Sequence, residues 1–571
     1  MEMNDFVVRF AGEGGQGVVT SAEGLAQAAT QVGYHALTYA TFPSQILGGP
    51  TWTQARISDE PVLSAGDYVD VLVAFNREAY DTHCDEVKED GVIIYNSDDF
   101  QLDGDGRSFA LPIEELARST GNTRAANMVV IGALAQLIDM PQGYLDEFVE
   151  KRFRRGREGD DEIIQSNIQA MLLGRTHTSE SGFTLGKLVD PNMPQYQQIM
   201  VKGNEALALG ARAAGLEFYI GYPISPATTI LIWMEHNLIG DGKFAYQVSS
   251  EIESITGLLG AGFAGKKAMT ATAGPGFSLM SEGLGLAWMA EIPLVVVDVQ
   301  RGGPATGLPT KTEQSDLMAC MYPAHGDVKM PVIAVGTVEE AFFGAIKALN
   351  WAERYQGPVI LMTEMSLAER VQNIEKPDLT QVHVEHRQTY QGNNGYNRYS
   401  GHELSPMPIP GSPGSYVANG SEHDEMGDTT HLPSRHIQMT ERRFSKLKLL
   451  EEDDYESDNT QESIALLPWG GSKGPSLEAY NALRQNGVPL SWYYTMFLNP
   501  LPPSLLNELK QKRLVIVPEL NYQGQFSGIL RAEGVNAKSI TQYTGLPFKV
   551  SDLIDQITAM VEIGQKETVG A

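Results

Sequence analysis

The stretch FVVRFAGEGGQGVVTSAEGLAQAATQVGY, residues 6–34, constrains the fold of this chain more than any other feature. A short apolar run, Phe6 to Ala11, runs into a glycine turn. A helical pattern follows that places Val18, Ala22, Leu25 and Ala28 on one face. The same β-loop-α alternation continues through VDVLVAF (Val69 to Phe75), GVIIYN (Gly91 to Asn96) and the helical TRAANMVVIGALAQLI. It restarts at KGNEALALGARAAGLEFYIGYPISPATTI, where a strand covers Glu217 to Ile220, and runs through KAMTATA, IPLVVVDVQ and GPVILMTEM. It starts a third time at SIALLPWGG, followed by PSLEAYNALRQNG, PLSWYY and RLVIVPE. Alternation of this kind predicts an α/β class with helices covering the faces of mostly parallel sheets. Three α/β domains are expected, over residues 1–180, 195–388 and 463–571. Between them, 389–462 is rich in Gly, Ser, Asn, Pro and acids and cannot build a core by itself. Within it RHIQMTERRFSKLKLLEE reads as one charged helix. No simple repeat of 20–50 residues is present.

Charge and cysteine usage narrow the partners. The 71 acids exceed the 42 bases, for a net charge of −29, which disfavours nucleic acid and anionic membranes. Only Cys84 and Cys320 are present, so the chain cannot by itself supply the four thiolates of an iron–sulfur cluster or a disulfide framework. The start MEMNDFVVRFAGEGG lacks a basic segment followed by a long apolar run. No stretch reaches about 18 uninterrupted apolar residues, so a soluble cytoplasmic protein is expected.

Two glycine-rich motifs imitate nucleotide loops without completing them. Gly260, Gly265 and Lys266 fit GxxxxGK, but Lys267 stands where a magnesium-binding hydroxyl belongs, and a Walker A loop is rejected. Gly12, Gly14 and Gly17 satisfy GxGxxG, yet the following strand, YHALTYAT, ends without the acid that would hold a ribose. The turn remains a helix N-terminus able to cradle an anion, or a tight strand–helix connection and nothing more. In SEIESITGLLGAGFAGKKAMTATAGPGFSLM two carboxylates, Glu251 and Glu253, open a helix of small residues, and either serves as a solvated helix-start acid or faces a ligand.

In combination and order, these stretches resemble the 2-oxoacid:ferredoxin oxidoreductases, specifically a large subunit in which the family's gamma and alpha parts are fused. The gamma-like part is carried by GEGGQGVVTSAEGLA and PSQILGGPTWTQARIS. The alpha-like part is carried by GNEALALGA, YIGYPISPATTI, SEIESITGLLGAGFAG, TATAGPGFSLM and VDVQRGGPATGLPTKTEQSDL, with SPMPIPG, SEHDEMG and PELNYQGQ later. The resemblance implies an N-terminal gamma-type domain, a transketolase-like pyrimidine-binding domain and a transketolase C-terminal-like domain. It also implies a reaction: a 2-oxoacid, preferably 2-oxoglutarate, coenzyme A and oxidised ferredoxin give acyl-CoA, carbon dioxide and reduced ferredoxin. Pyruvate and branched-chain oxoacids stay open as substrates. A transketolase-like carboligase and a nucleotide-binding scaffold are the rival readings.

The resemblance also gives residues their expected roles. Thiamine diphosphate needs a carboxylate on N1′ of its aminopyrimidine, which stabilises the imino tautomer whose N4′ removes the thiazolium C2 proton. Ungapped alignment of the small-residue pattern assigns this to Glu251 over Glu253. Tyr222, Pro223 and Ile224 belong to the cofactor-facing loop, where Ser225 replaces the family's usual threonine as a donor to the oxoacid carboxylate. Arg301, just after an apolar strand, is the carboxylate clamp, with Thr306 as a second hydroxyl and Lys311 as the candidate cation for a distal carboxylate. Gly12, Gly14, Gly15, Gln16 and Gly17, with Gly48 and Gly49, form the expected coenzyme A wall, weakened by Leu47 where related sequences carry arginine. The diphosphate and magnesium segment is missing, since GDGRS around Gly104 lacks the asparagine pattern. A separate beta subunit is therefore expected to bind the diphosphate and magnesium and to carry a [4Fe–4S] cluster. An (alpha–beta)2 assembly with the active site at the alpha–beta interface follows, and this chain binds no metal itself.

Overall fold

The computed structural model of the chain describes residues 2–43, 49–102, 106–191, 196–392, 396–401 and 404–569, with 564–569 as backbone. They form two compact units: 1–201 with 370–376, and 202–369 with 377–571. The short segment 370–376, inside the stretch expected to lie in one domain with residues 195–388, thus belongs to the first unit.

The first unit is built on an eight-stranded mixed sheet. Strand β1 (Asp5–Glu13) lies at its centre, parallel to Val69–Ala74 and antiparallel to Pro50–Ser58. Helix α1 (Val18–Val32) buries Val18, Ala22, Leu25 and Ala28 against this sheet, the face expected from periodicity. Strand Pro50–Ser58, which carries part of the gamma-like signature, is not among the strands expected from the sequence. It alternates Thr51, Thr53, Ala55 and Ile57 on a buried face and pairs between β1 and His35–Thr41. Beyond His35–Thr41 the sheet is extended by Val371–Glu375 and then Gln198–Lys202, two strands distant in sequence.

The second unit carries two sheets. The larger has seven strands in the order Phe244–Gln247, Phe218–Gly221, Ala268–Thr272, Leu294–Gln300, Pro358–Glu364, Val332–Ala334 and Phe497–Asn499, all parallel except the last. The chain leaves strand β2 (Phe218–Gly221) to pair Phe244–Gln247 on one side, then returns to its other side as β3 (Ala268–Thr272). This reversal between β2 and β3 is a topological switch point, where connections on opposite sides open a crevice at the strands' carboxyl ends. The smaller sheet has five strands, of which β4 (Leu514–Glu519) and β5 (Ala537–Thr541) form one parallel edge.

The polar stretch 389–462 folds back onto this unit. Its charged helix is present as Pro433–Ser445. Instead of an apolar core of its own it inserts cations around Glu291, which is 1% exposed. Arg442 donates to Glu291 at 2.9 and 3.1 Å, Lys446 at 3.0 Å, and Arg398 stands at 3.9 Å. Burial alone would raise the Glu291 carboxyl, but these three cations hold it far below the usual carboxylate range.

Candidate active site

The eight sequence-expected residues of the second unit lie on loop 222–226 after β2, at the start of the helix that leads into β3, and on segment 301–311 after strand Leu294–Gln300. Helix α2 (Glu251–Phe263) starts after Phe244–Gln247, and Ser250 caps it by accepting from the Glu253 N–H at 3.2 Å. The two acids of this first turn have opposite fates. Glu253 is exposed and accepts from the N–H and hydroxyl of Ser249 at 2.8 and 2.7 Å, which keeps its carboxyl below its ordinary value. Glu251 is 5% exposed, and among the described residues its carboxylate accepts no hydrogen bond. An acceptor that no protein donor satisfies, on a side chain otherwise nearly buried, is open to a ligand. The Glu251 side chain reaches the end of β3, where a Cβ on Gly276 would collide with Glu251 Oε1 and with Thr272 Oγ1. Gly276 sits in the turn that starts the short helix Gly274–Leu279, so the absent side chain makes room for the acid.

Loop 222–226 follows β2. Tyr222 and Ser225 are exposed, and Pro223 and Ile224 are half-buried. Arg301 follows strand Leu294–Gln300, is 7% exposed, and donates to the Ser225 carbonyl at 2.6 Å and the Thr306 carbonyl at 3.5 Å. Arg301, Ser225 and Thr306 are thus brought together through main-chain carbonyls, which leaves both hydroxyls exposed. Arg301 Nε is buried without a partner. Residues 302–311 form a tight excursion: Leu308 N–H donates to Gly302 O at 2.8 Å and Gly302 N–H to Lys311 O at 3.0 Å. That returns Lys311 beside the start of the loop. Lys311 is half-buried and pairs with no carboxylate among the described residues, and burial pulls its ammonium below the ordinary value.

Two further acids lie at this site, Asp298 and Asp316, and neither is among the sequence-expected residues. A Cβ on Gly274 would come within 2.8 Å of Asp316 Oδ2, an oxygen buried without a partner. Burial, then Glu313, pushes Asp316 up to about 6 against the pull of Arg301. Asp298 on strand Leu294–Gln300 is fully buried, accepts from the Cys320 thiol at 3.5 Å, and is raised well above the carboxylate range by burial and then by Asp316. The signal for Asp298 was available: an aspartate inside the apolar run VVVDVQ must be buried or protonated. Asp316 carried no such mark. Among the described residues no group of three or more His, Cys, Asp or Glu is placed to hold a metal ion.

In the first unit the glycine turn lies between β1 and α1. Gly15 and Gly17 have left-handed backbones, and Gly17 caps α1 without a side-chain hydrogen bond, so the first-turn N–H groups lack a capping side chain. Gly14 and Gly15 are exposed with open space where a Cβ would point. Gly12 is closed in by Phe75 and by Gln16. Gln16 Oε1 accepts from the Glu13 N–H at 2.7 Å and from Asn76 Nδ2 at 3.2 Å, so its side-chain carbonyl serves the turn itself. Gly49 has a left-handed backbone, while Leu47, Gly48 and Gly104 lie outside the described residues.

Residues 209–442 match the family described as pyruvate flavodoxin/ferredoxin oxidoreductase, thiamine diP-bdg, and residues 7–177 match pyruvate ferredoxin/flavodoxin oxidoreductase. The 2-oxoglutarate oxidoreductase subunit KorA of Mycobacterium tuberculosis is 31% identical over 100% of this chain and 94% of its own length. The alpha subunit of 2-oxoacid:ferredoxin oxidoreductase 2 from Aeropyrum pernix is 29% identical over 99% of each. Among solved structures, the 2-oxoglutarate:ferredoxin oxidoreductase from Magnetococcus marinus, with 2-oxoglutarate, coenzyme A and succinyl-CoA bound, is 35% identical. It matches with a TM-score of 0.92 over 98% of this chain and 100% of that one.

Proposed function

We propose that this chain, which belongs to the 2-oxoacid:ferredoxin oxidoreductases, is the alpha subunit of an enzyme that converts 2-oxoglutarate and coenzyme A reversibly to succinyl-CoA and carbon dioxide, reducing ferredoxin. Residues 1–180 are its gamma-type, coenzyme A-side domain, 195–388 the pyrimidine-binding domain and 463–571 the transketolase C-terminal-like domain. The observation that carries the reading is Glu251, a nearly buried acid whose carboxylate takes no hydrogen bond from the described residues and lies beside the carboxyl end of β3.

The residues present fit the pyrimidine half of thiamine diphosphate. Bound there, the cofactor supplies the carbon nucleophile for the oxoacid carbonyl and the electron sink for carbon dioxide loss. Glu251 holds the proton at N1′ of the aminopyrimidine, in a nearly buried setting where a hydrogen bond is stronger than in bulk water. Gly276 keeps the space beside the carboxylate clear. Arg301, held by two main-chain carbonyls, orients the carboxylate next to the reacting carbonyl, and the Ser225 and Thr306 hydroxyls donate to the same end of the substrate. Lys311, without an anion of its own, takes the distal carboxylate. Gly14 and Gly15, ahead of the uncapped start of α1, take the pyrophosphate side of coenzyme A.

A beta subunit supplies the diphosphate and magnesium site and a [4Fe–4S] cluster, in an (alpha–beta)2 assembly that reduces ferredoxin in the cytoplasm. The two cysteines here leave the cluster to that partner. No helix among the described residues is long and apolar enough to cross a membrane.

The test is viologen reduction by the assembled complex. It should require both 2-oxoglutarate and coenzyme A, with kcat/KM for pyruvate lower by about tenfold or more, the discrimination expected from one charged contact. Preference for pyruvate, or turnover without coenzyme A, would overturn the assignment.

A further inference from the structure

Lys311 owes its position to the smaller sheet. The loop after β5 brings Gly545 against the Lys311 stem: a Cβ on Gly545 would lie 2.8 Å from Lys311 Cβ, 3.2 Å from its Cγ and 3.4 Å from Leu308 Cδ1. Carbon atoms pack at about 3.5–4.0 Å, so a methyl there cannot be absorbed by a swing of the distant ammonium. The crowded atom is the one joined to the backbone, and the whole side chain must tilt.

The backbone around this contact has little freedom. Thr312 N–H donates to Gly545 O at 3.2 Å, directly after Lys311. Gln314 is clasped by the loop after β4: its N–H donates to Leu520 O at 2.7 Å, its Oε1 accepts from the Leu520 N–H at 3.0 Å, and Asn521 Nδ2 donates to its carbonyl at 3.0 Å. The segment bearing Lys311 is therefore anchored on loops at the carboxyl ends of two neighbouring parallel strands. Gly545 itself has a left-handed backbone (φ 76°).

We infer that Gly545 is a specificity-determining positioning residue, whose missing side chain sets the angle at which Lys311 meets the distal carboxylate of a dicarboxylic oxoacid. Gly545 touches no substrate, and its effect passes through Lys311. The inference rests on the role of Lys311 given above, and it predicts that substrate choice between dicarboxylic and monocarboxylic oxoacids is controlled from the smaller sheet.

A double-mutant cycle on the assembled complex tests this, with 2-oxoglutarate and 2-oxobutyrate as substrates. Lys311→Ala should raise KM for 2-oxoglutarate about 10-fold or more, the cost of one charged hydrogen bond, and leave KM for 2-oxobutyrate unchanged. Gly545→Ala should show the same selective rise. In the Lys311→Ala background, Gly545→Ala should change KM by less than about twofold, because the two effects share one route. Gly545→Asn carries the same Cβ on a residue that tolerates the left-handed backbone, and it replaces Gly545→Ala throughout if that variant does not fold. A Lys311→Ala variant with unaltered KM for 2-oxoglutarate would overturn the reading of Lys311. A selective Lys311→Ala effect with an unselective Gly545 effect, or one equally large without Lys311, would overturn the inference about Gly545 alone.

Discussion

The carboxylate of Glu251 occupies the space that a side chain at Gly276 would need. One residue starts α2 and the other lies in the first turn of the helix after β3, so the acid is placed by the fold around the switch point and by the absence of a methyl group. Gly276→Ala should therefore damage activity as a change at Glu251 does. Overpacking of this kind costs about 1–3 kcal/mol. The expected result is a folded variant with a lowered melting temperature and at least about tenfold lower turnover. Turnover equal to the unmodified complex would show that the acid has room to move.

Arg301→Ala should raise the oxoacid KM by about 10- to 100-fold, the value of a charge-assisted hydrogen bond, and leave the coenzyme A KM within about twofold. Arg301 also holds the Ser225 and Thr306 carbonyls, so Arg301→Lys, which keeps the charge but loses the planar fork, should recover only part of the affinity. Steady-state kinetics with each substrate varied in turn decides this. Equal rises in both KM values would remove the clamp role.

Asp316 predicts a signature in stability against pH. Its folded-state pKa, about 6, lies above the ordinary carboxylate value of 3.8. Its favourable contribution is therefore complete below about pH 4 and is lost as pH rises through 6, where the folded protein must ionise a buried acid. Asp316→Asn removes this penalty and relieves Asp298, which Asp316 pushes up. Thermal melts should show Asp316→Asn gaining melting temperature relative to the unmodified chain at about pH 7.5, and much less at about pH 4.5. A gain independent of pH would contradict the assignment.

Glu291 predicts a stability effect away from the chemistry. Glu291→Gln leaves Arg398, Arg442 and Lys446 buried without their common anion. Breaking a buried ion cluster from one side costs about 3–5 kcal/mol. Denaturant titration should show a loss of that size, with the oxoacid KM of the surviving folded fraction unchanged. A loss under about 1 kcal/mol would mean the cluster is solvated.

Local patterns made much of this molecule legible. Phe6 to Ala11, Val69 to Phe75 and Leu514–Glu519 are strands because short apolar runs of β-forming residues between turns have no other stable use, and all three are present. The strand Pro50–Ser58 carries little apolar signal because three of the four residues on its buried face, Thr51, Thr53 and Ala55, are polar or small and only Ile57 is a large hydrophobe. The two acids at the start of α2 could not be separated by composition, since a helix start welcomes either. Burial of Glu251 and exposure of Glu253 follow from helix phase against β3. The tie from Arg301 to the Ser225 carbonyl, and that from Gly545 to Lys311, join residues far apart in sequence through backbone and small atoms, which leave no local pattern to read.

Exchange of the C2 proton of thiamine diphosphate for deuterium, followed by NMR in the assembled complex, tests the role of Glu251 most directly. Glu251→Gln should bind the cofactor with unchanged stoichiometry and slow the exchange by about 10²- to 10⁴-fold, the range expected when an acid–base partner is removed. Exchange in Glu251→Gln at the rate of the unmodified complex would contradict the account.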